Sequence, residues 1–232
     1  NVSGTIMPLG EVGQLCKEHH LFFIVDCAQT AGFLSIDFSD LKADALAFTG
    51  HKGLLGPQGI GGFYLNDQLA ALVEPLIEGG TGSASDSVLQ PVHLPDRFEG
   101  GTLNLPGIYG LNAALKYLIE EGIPAIREKE LILVRRFMED VQTLPGIRLL
   151  GPDPEQERTG IVSLNFLLHD NADVSYRLFK DFGIMTRCGL HCAPAAHRTL
   201  GTFPQGTVRF SFSHFNSLQD VDYVLDILRR NF

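Results

Sequence analysis

Apolar and polar residues recur along this 232-residue chain with two periods, one of a helix and one of a strand. Between residues 10 and 20, Val12, Leu15 and Cys16 fall at helical spacing and predict an amphipathic helix packed on a sheet. Leu21-Phe-Phe-Ile-Val25 follows as an unbroken apolar run. It predicts a strand covered on both faces, as in a parallel sheet, with Asp26 at its carboxyl end. Ile36 and Phe38 alternate with Asp37 and Ser39, and further strands are expected over residues 43–48 and 61–65. Ile108, Leu111, Ala114, Leu115 and Leu118 mark a helix over 107–121, and a second, over 126–144, carries Arg and Glu on a solvated side. After the Pro145-Gly146 turn, strands at 147–150, 160–166 and 208–212 are expected with helices at 174–182 and 218–230. The fold class is therefore α/β, with a mostly parallel sheet in residues 1–122 and a small α+β domain in residues 123–232. There is no internal repeat.

Composition acts mainly by exclusion. A net charge of −9 argues against nucleic acid and anionic membrane surfaces as partners. No apolar run is long enough to span a bilayer. Four cysteines in a chain this size (Cys16, Cys27, Cys188, Cys192) do not form a disulfide framework, and reduced thiols in a cytoplasmic protein are expected.

Two stretches suggest chemistry. Asp26 ends a hydrophobic strand, where open α/β sheets gather ligands, although an acid there also serves as a cap or turn residue. Lys52 sits in Thr49-Gly-His-Lys52 and is followed by Gly-, Leu- and Pro-rich chain with little polar cover. A lysine desolvated in that setting becomes a usable amine for a Schiff base, and a solvated surface lysine is the plain alternative. Thr49 and His51 read equally as a strand-end cap and a core histidine. The Gly-rich run 56–62 lacks the order of a dinucleotide fingerprint and reads as a tight turn into a strand.

Asp26-Cys-Ala-Gln29 followed by Thr49-Gly-His-Lys52 resembles the class V aminotransferase superfamily, and within it the cysteine desulfurase and selenocysteine lyase branch. The resemblance covers the whole chain and implies a pyridoxal 5'-phosphate (PLP) enzyme of fold type I. Lys52 would carry the cofactor, Asp26 would hold the pyridinium nitrogen protonated and Gln29 would meet the phenolic oxygen. Thr49 and His51 would bind the phosphate. Arg97-Phe-Glu-Gly-Gly-Thr-Leu-Asn104 resembles the family motif whose Gly-Thr pair, here Gly101 and Thr102, reaches the phosphate of the partner subunit in a homodimer. Residues 79–95 before it are Gly/Ser-rich and would alone be read as a flexible linker. Asn1 matches a family Asn near cofactor and substrate. In the family that motif lies well inside the subunit, so the chain is expected to be a fragment lacking an N-terminal portion.

Arg187-Cys-Gly-Leu-His-Cys-Ala-Pro194 resembles the group II desulfurase motif, which gives Cys192 the role of sulfur-accepting nucleophile and places Arg187 at the substrate. From the residues themselves, a Cys in a Gly- and Pro-bounded loop beside His191 and near two arginines can be kept exposed and partly as thiolate, and a buried inert Cys is the plain alternative. Cys188 leaves an intraloop disulfide open, and a set of Cys188, His191, Cys192 and His197 lacks a standard metal-ligand spacing, so no metal is expected. Arg209 alternates with Val208 and Phe210 and shares a strand face with Ser211 and Ser213. The family uses that arginine to hold an α-carboxylate. The implied activity is removal of sulfur from L-cysteine to give alanine and a persulfide on Cys192, with passage to an acceptor protein. Selenocysteine lyase, aminotransferase and C–S lyase reactions, and an inactive truncated domain, are the alternatives.

Overall fold

The structure, a computed structural model, describes residues 1–153 and 156–232. These divide into two compact units, one formed by Pro8–Glu121 and the other by Gly122–Phe232 together with Asn1–Met7. The first seven residues thus pack with the C-terminal part of the chain.

In the unit Pro8–Glu121, helix α1 (Leu9–Glu18) precedes β1 (Ile24–Asp26) and β2 (Ala45–Thr49), which pair in parallel, and β3 (Gly61–Leu65) pairs antiparallel to β2. The order is β1-β2-β3, so β1 and β3 are both edges. The expectation that residues 21–25 are covered on both faces is corrected here. Val25 is 5 % exposed but Ile24 is 65 % exposed, because the cluster of Val25, Cys27 and Ala43 covers one face only. Helix α1 also packs differently from its periodicity. Gly13 is buried against Leu41, where an added Cβ would lie 2.0 Å from the Leu41 carbonyl oxygen, whereas Leu15 faces out. Asp44 ties the layers together, its two oxygens accepting from Phe23 N–H at 2.8 Å and Asn66 Nδ2 at 2.7 Å. Asn66 in turn caps the short α2 (Asp67–Leu72), which periodicity did not reveal. Asn104 caps the long α3 (Leu105–Glu121) through Gly107 N–H.

The other unit holds α4 (Ile123–Val141), β4 (Ile147–Leu150), β5 (Ile161–Phe166), α5 (Asn171–Phe182), β6 (Arg187–Gly189), α6 (Pro194–Thr199), β7 (Thr207–Ser211) and α7 (Leu218–Asn231). Its sheet is antiparallel throughout, in the order β4-β5-β7-β6. Val162, Leu164, Val208 and Phe210 face a core shared with Phe137, Val174, Leu178 and Leu225 of α4, α5 and α7. Alternation sends Ser163 and Arg209 to the opposite face, and residues 1–5 lie there. Val2 O accepts from Ser163 Oγ, Gly4 O accepts from Thr159 N–H at 2.8 Å, and Arg158, wholly buried, donates to Ser3 O at 3.3 Å and Ile161 O at 2.7 Å. The close approach needs glycine at Gly151 (φ +101), where a Cβ would stand 2.2 Å from Ser3 O.

Candidate active site

The residues singled out in the sequence fall into two groups, one in each unit. In Pro8–Glu121 all but Gly101 and Thr102 gather at the carboxyl ends of the two parallel strands. Asp26 ends β1 opposite Ala47, and its Oδ1 accepts from Ala28 N–H at 2.8 Å, which turns the chain. Gln29 is exposed in the turn that follows. Thr49 ends β2, and its hydroxyl lies 2.9 Å from His51 Nδ1. Gly32 (φ +88) lets the turn after Asp26 press against the Lys52 loop, since a Cβ there would be 2.0 Å from Gly53 O. Acid, hydroxyl, imidazole and amine are thereby placed at one end of one sheet.

His51 is exposed, which removes the core-histidine reading. Lys52 is exposed too, and the expected desolvation is corrected. The Gly-rich segment closes on its own backbone, with Leu55 N–H donating to Lys52 O at 2.8 Å and Gly56 N–H to Gly50 O at 2.7 Å, instead of folding over the ammonium. Gly101 (φ +82) and Thr102 are exposed, and Gly101 N–H donates to Gly80 O at 3.1 Å. The Gly/Ser-rich segment before them is stapled by Gln90, which accepts from Gly79 N–H at 3.1 Å and donates to Asp96 O at 2.8 Å.

The second group surrounds Cys192. Strand β6, which the sequence did not reveal, pairs Arg187 directly with Arg209 of β7, so both guanidinium stems rise from the same face. Arg187 Nη2 donates to Cys192 Sγ at 3.5 Å. Arg209 Nη1 donates to Asn1 O at 3.0 Å and to Asn1 Oδ1 at 2.5 Å, and Asn1 Nδ2 donates to His191 O at 2.6 Å. Burial, then the neighbouring Arg187, hold the Arg209 guanidinium below its usual range, which still leaves it charged at neutral pH. Arg198, the other arginine near the motif, stacks on Phe203 at 4.7 Å from the ring centroid.

Among the cysteines, Cys188 and Cys192 are exposed and free, so the intraloop disulfide is not formed. Cys27 is buried, and burial, then Asp26, push its thiol up, which marks it as inert. Cys192, by contrast, is accessible and has the Arg187 guanidinium against its sulfur.

His191 does not flank the sulfur as expected. Its ring is 2 % exposed, turned inward, with Nε2 2.9 Å from Thr207 Oγ1. Burial, then Arg209, His197 and Arg187, drive its pKa down to about 4, so it is neutral at pH 7. His197, also buried, sits 2.8 Å from Thr202 Oγ1 and 5.5 Å ring to ring from His191. His191 and Cys192 both adopt left-handed backbone (φ 50 and φ 61), at a cost of about 1–2 kcal/mol per residue for side chains bearing a Cβ. Thr207, at the start of a β-branched strand segment, is the one local signal that a buried hydroxyl is available to the motif.

The aminotransferase class-V family model matches residues 1–224. A probable cysteine desulfurase of Pyrococcus abyssi is 40 % identical over 234 residues, covering 98 % of this chain and 56 % of that protein. A cysteine desulfurase of Salmonella newport is 34 % identical over 233 residues, covering 99 % and 56 %. The apo cysteine desulfurase of Thermococcus onnurineus NA1 superposes with a TM-score of 0.91 at 37 % identity, over 99 % of this chain and 57 % of that one. A cysteine desulfurase of Escherichia coli gives a TM-score of 0.87 at 28 % identity, over 99 % and 56 %. The mixed α/β fold is thus shared with part of the cysteine desulfurase structures, and the chain spans about 56 % of the length of these curated relatives. With a match running through both units and through both groups of site residues, the chain belongs to the class-V aminotransferase family.

Proposed function

We propose that the protein these residues belong to is a PLP-dependent cysteine desulfurase, which takes sulfur from L-cysteine and leaves alanine and a persulfide on Cys192. The observation that carries this reading is an exposed cysteine sulfur 3.5 Å from one guanidinium, in a loop whose Asn1 contact runs to a second guanidinium on the neighbouring strand. Nucleophile and carboxylate clamp are then parts of one hydrogen-bonded unit.

The donor set at the end of β1 and β2 fits PLP. Lys52 offers an amine for the aldehyde, Asp26 a carboxylate for the pyridinium, Gln29 an amide for the phenolic oxygen, and Thr49 and His51 donors for the phosphate. When bound, PLP supplies an electron sink for charge developing at the substrate α-carbon. The chain's residues do the rest. Arg209, with Asn1 and Arg187 beside it, holds the α-carboxylate, and the Lys52 amine moves the α-proton. Cys192 Sγ attacks the substrate sulfur. An S–S bond forms as the Cβ–S bond breaks, and the electron pair stays on the substrate carbon, which is protonated on the way to alanine.

In this reading Pro8–Glu121 is part of the cofactor-binding domain and the other unit is the small domain. Gly101 and Thr102 serve the phosphate site of a second copy in a homodimer, and an acceptor protein takes the sulfur. No helix among the described residues is long and apolar enough to cross a membrane, and the reading places the protein in the cytoplasm. The exposure of Lys52 favours a second reading of these 232 residues on their own, namely that they do not assemble a loaded site without further chain.

Visible spectroscopy with added PLP, borohydride fixation and peptide mapping separates the two. A reducible band fixed on Lys52 and lost in Lys52→Ala is expected, together with a Cys192→Ala variant that keeps the band and no longer passes sulfur to an acceptor. A label fixed elsewhere, or undiminished sulfur transfer by Cys192→Ala, overturns the assignment. If no band forms, the second reading holds for this length of chain.

A further inference from the structure

Beneath the Cys192 loop lies a buried polar cluster that the proposed chemistry does not use. His191, Thr207, His197 and Thr202 are all at most 4 % exposed, and each imidazole is matched to one hydroxyl. We infer that His191, held by Thr207, is the positioning residue that keeps Cys192 in contact with Arg187. This rests on the reading of Cys192 as the nucleophile.

The argument is geometric. Two consecutive residues with side chains, His191 and Cys192, occupy left-handed backbone, a conformation that persists only where the surroundings impose it. Cys192 itself is exposed, and its sulfur meets Arg187 at 3.5 Å. The buried side chain of the pair is His191. Its Nε2–Thr207 Oγ1 contact anchors the turn to the first residue of β7, the strand that also carries Arg209 two positions on. Its carbonyl oxygen takes the Asn1 amide, whose oxygens receive Arg209. One imidazole therefore sets the loop from below while its own backbone joins the carboxylate clamp. Because the ring is neutral at pH 7, it adds no third positive charge beside Arg187 and Arg209. If the anchor is removed, the turn can relax to ordinary backbone angles and carry the sulfur away from the Arg187 guanidinium.

The test uses the chain as it is, without cofactor. The alkylation rates of Cys192 and Cys188 by iodoacetamide are followed together by fragment-ion mass spectrometry, with Cys188 as the internal reference on the same edge strand and loop. In the unaltered chain Cys192 is expected to react faster than Cys188. Thr207→Val, nearly equal in shape but without the hydroxyl, should lower the Cys192:Cys188 ratio about five- to tenfold, the worth of one buried hydrogen bond. Thr207→Ser should restore the ratio. Circular dichroism confirms that the variants are folded, and the serine rescue covers the case where valine disturbs the fold. A folded Thr207→Val with an unchanged ratio overturns the positioning role and leaves the functional reading intact. A Cys192 no faster than Cys188 in the unaltered chain removes the nucleophile itself, and the positioning role with it.

Discussion

The two units differ most in how they bury their apolar residues. The unit built on the antiparallel sheet has a continuous core in which Phe137, Met138, Leu164, Leu178 and Leu225 are wholly enclosed. The unit Pro8–Glu121 has a small cluster at Val25, Cys27 and Ala43, and leaves Phe22, Ile24, Phe63, Leu76, Ile77 and Val88 exposed. Apolar side chains left in water at this density mark a unit whose small core covers only part of its own apolar surface. The chemistry follows the same division. Asn1, Arg209, His191 and Arg187 are already bonded into a set arrangement around Cys192, whereas Lys52 stands in solvent. A unit that closes its own core can preorganise its reactive groups, and one that does not leaves its lysine without the desolvation a reactive amine needs.

Hydrogen exchange, which reads each unit separately, tests this difference at its largest. Leu225→Ala should cost about 2–5 kcal/mol and sharply raise exchange in β5 and β7, with β1–β3 unaffected. Val25→Ala should cost only about 1–2 kcal/mol. Equal losses at the two sites would erase the distinction.

A smaller effect tests the buried carboxylate within the better-packed unit. Glu130 of α4, only 8 % exposed, accepts from His214 N–H at 3.1 Å, and burial raises its pKa to about 7. Both folded and unfolded states carry the proton at pH 4. Between the ordinary carboxylate range and pH 7 the unfolded chain releases it first, so stability falls as pH rises and the penalty is complete above pH 7. Glu130→Gln should therefore match the parent at pH 4 and exceed it by up to about 3 kcal/mol at pH 8. The same gain at both pH values would show that ionisation is not the cause. The smallest change concerns the last helix. Ser217 and Asp220 form a reciprocal cap at the start of α7, and Ser217→Ala should cost about 1 kcal/mol, read as faster exchange in the first turn of α7.

Much of the fold was legible because local periodicity reports it. The strand at 61–65, the helix through Ile108 to Leu118 and the final amphipathic helix all form within a few residues of where the pattern puts them. The two strands that carry Asp26 and Thr49 to neighbouring ends were legible for the same reason. Strand β6 and helices α2 and α6 were not, since three to six residues are too few to establish a period. Glu130 looked like part of a solvated helix face, and only the approach of Gly160 and His214 from distant chain makes it buried.

The sequence by itself determined which groups are available: one lysine in a Gly-rich turn, an acid at a strand end, a cysteine between two arginine-bearing segments. It did so because residue identity and short-range pattern set chemistry and secondary structure. Only the tertiary structure decided which of these groups meet. Arg187 lies beside Arg209 through the register of β6 on β7, residue 1 reaches residue 209 by lying across the sheet, and His191 turns from the sulfur to Thr207. Such contacts arise from strand pairing and burial between segments far apart in the chain, and no local period encodes them.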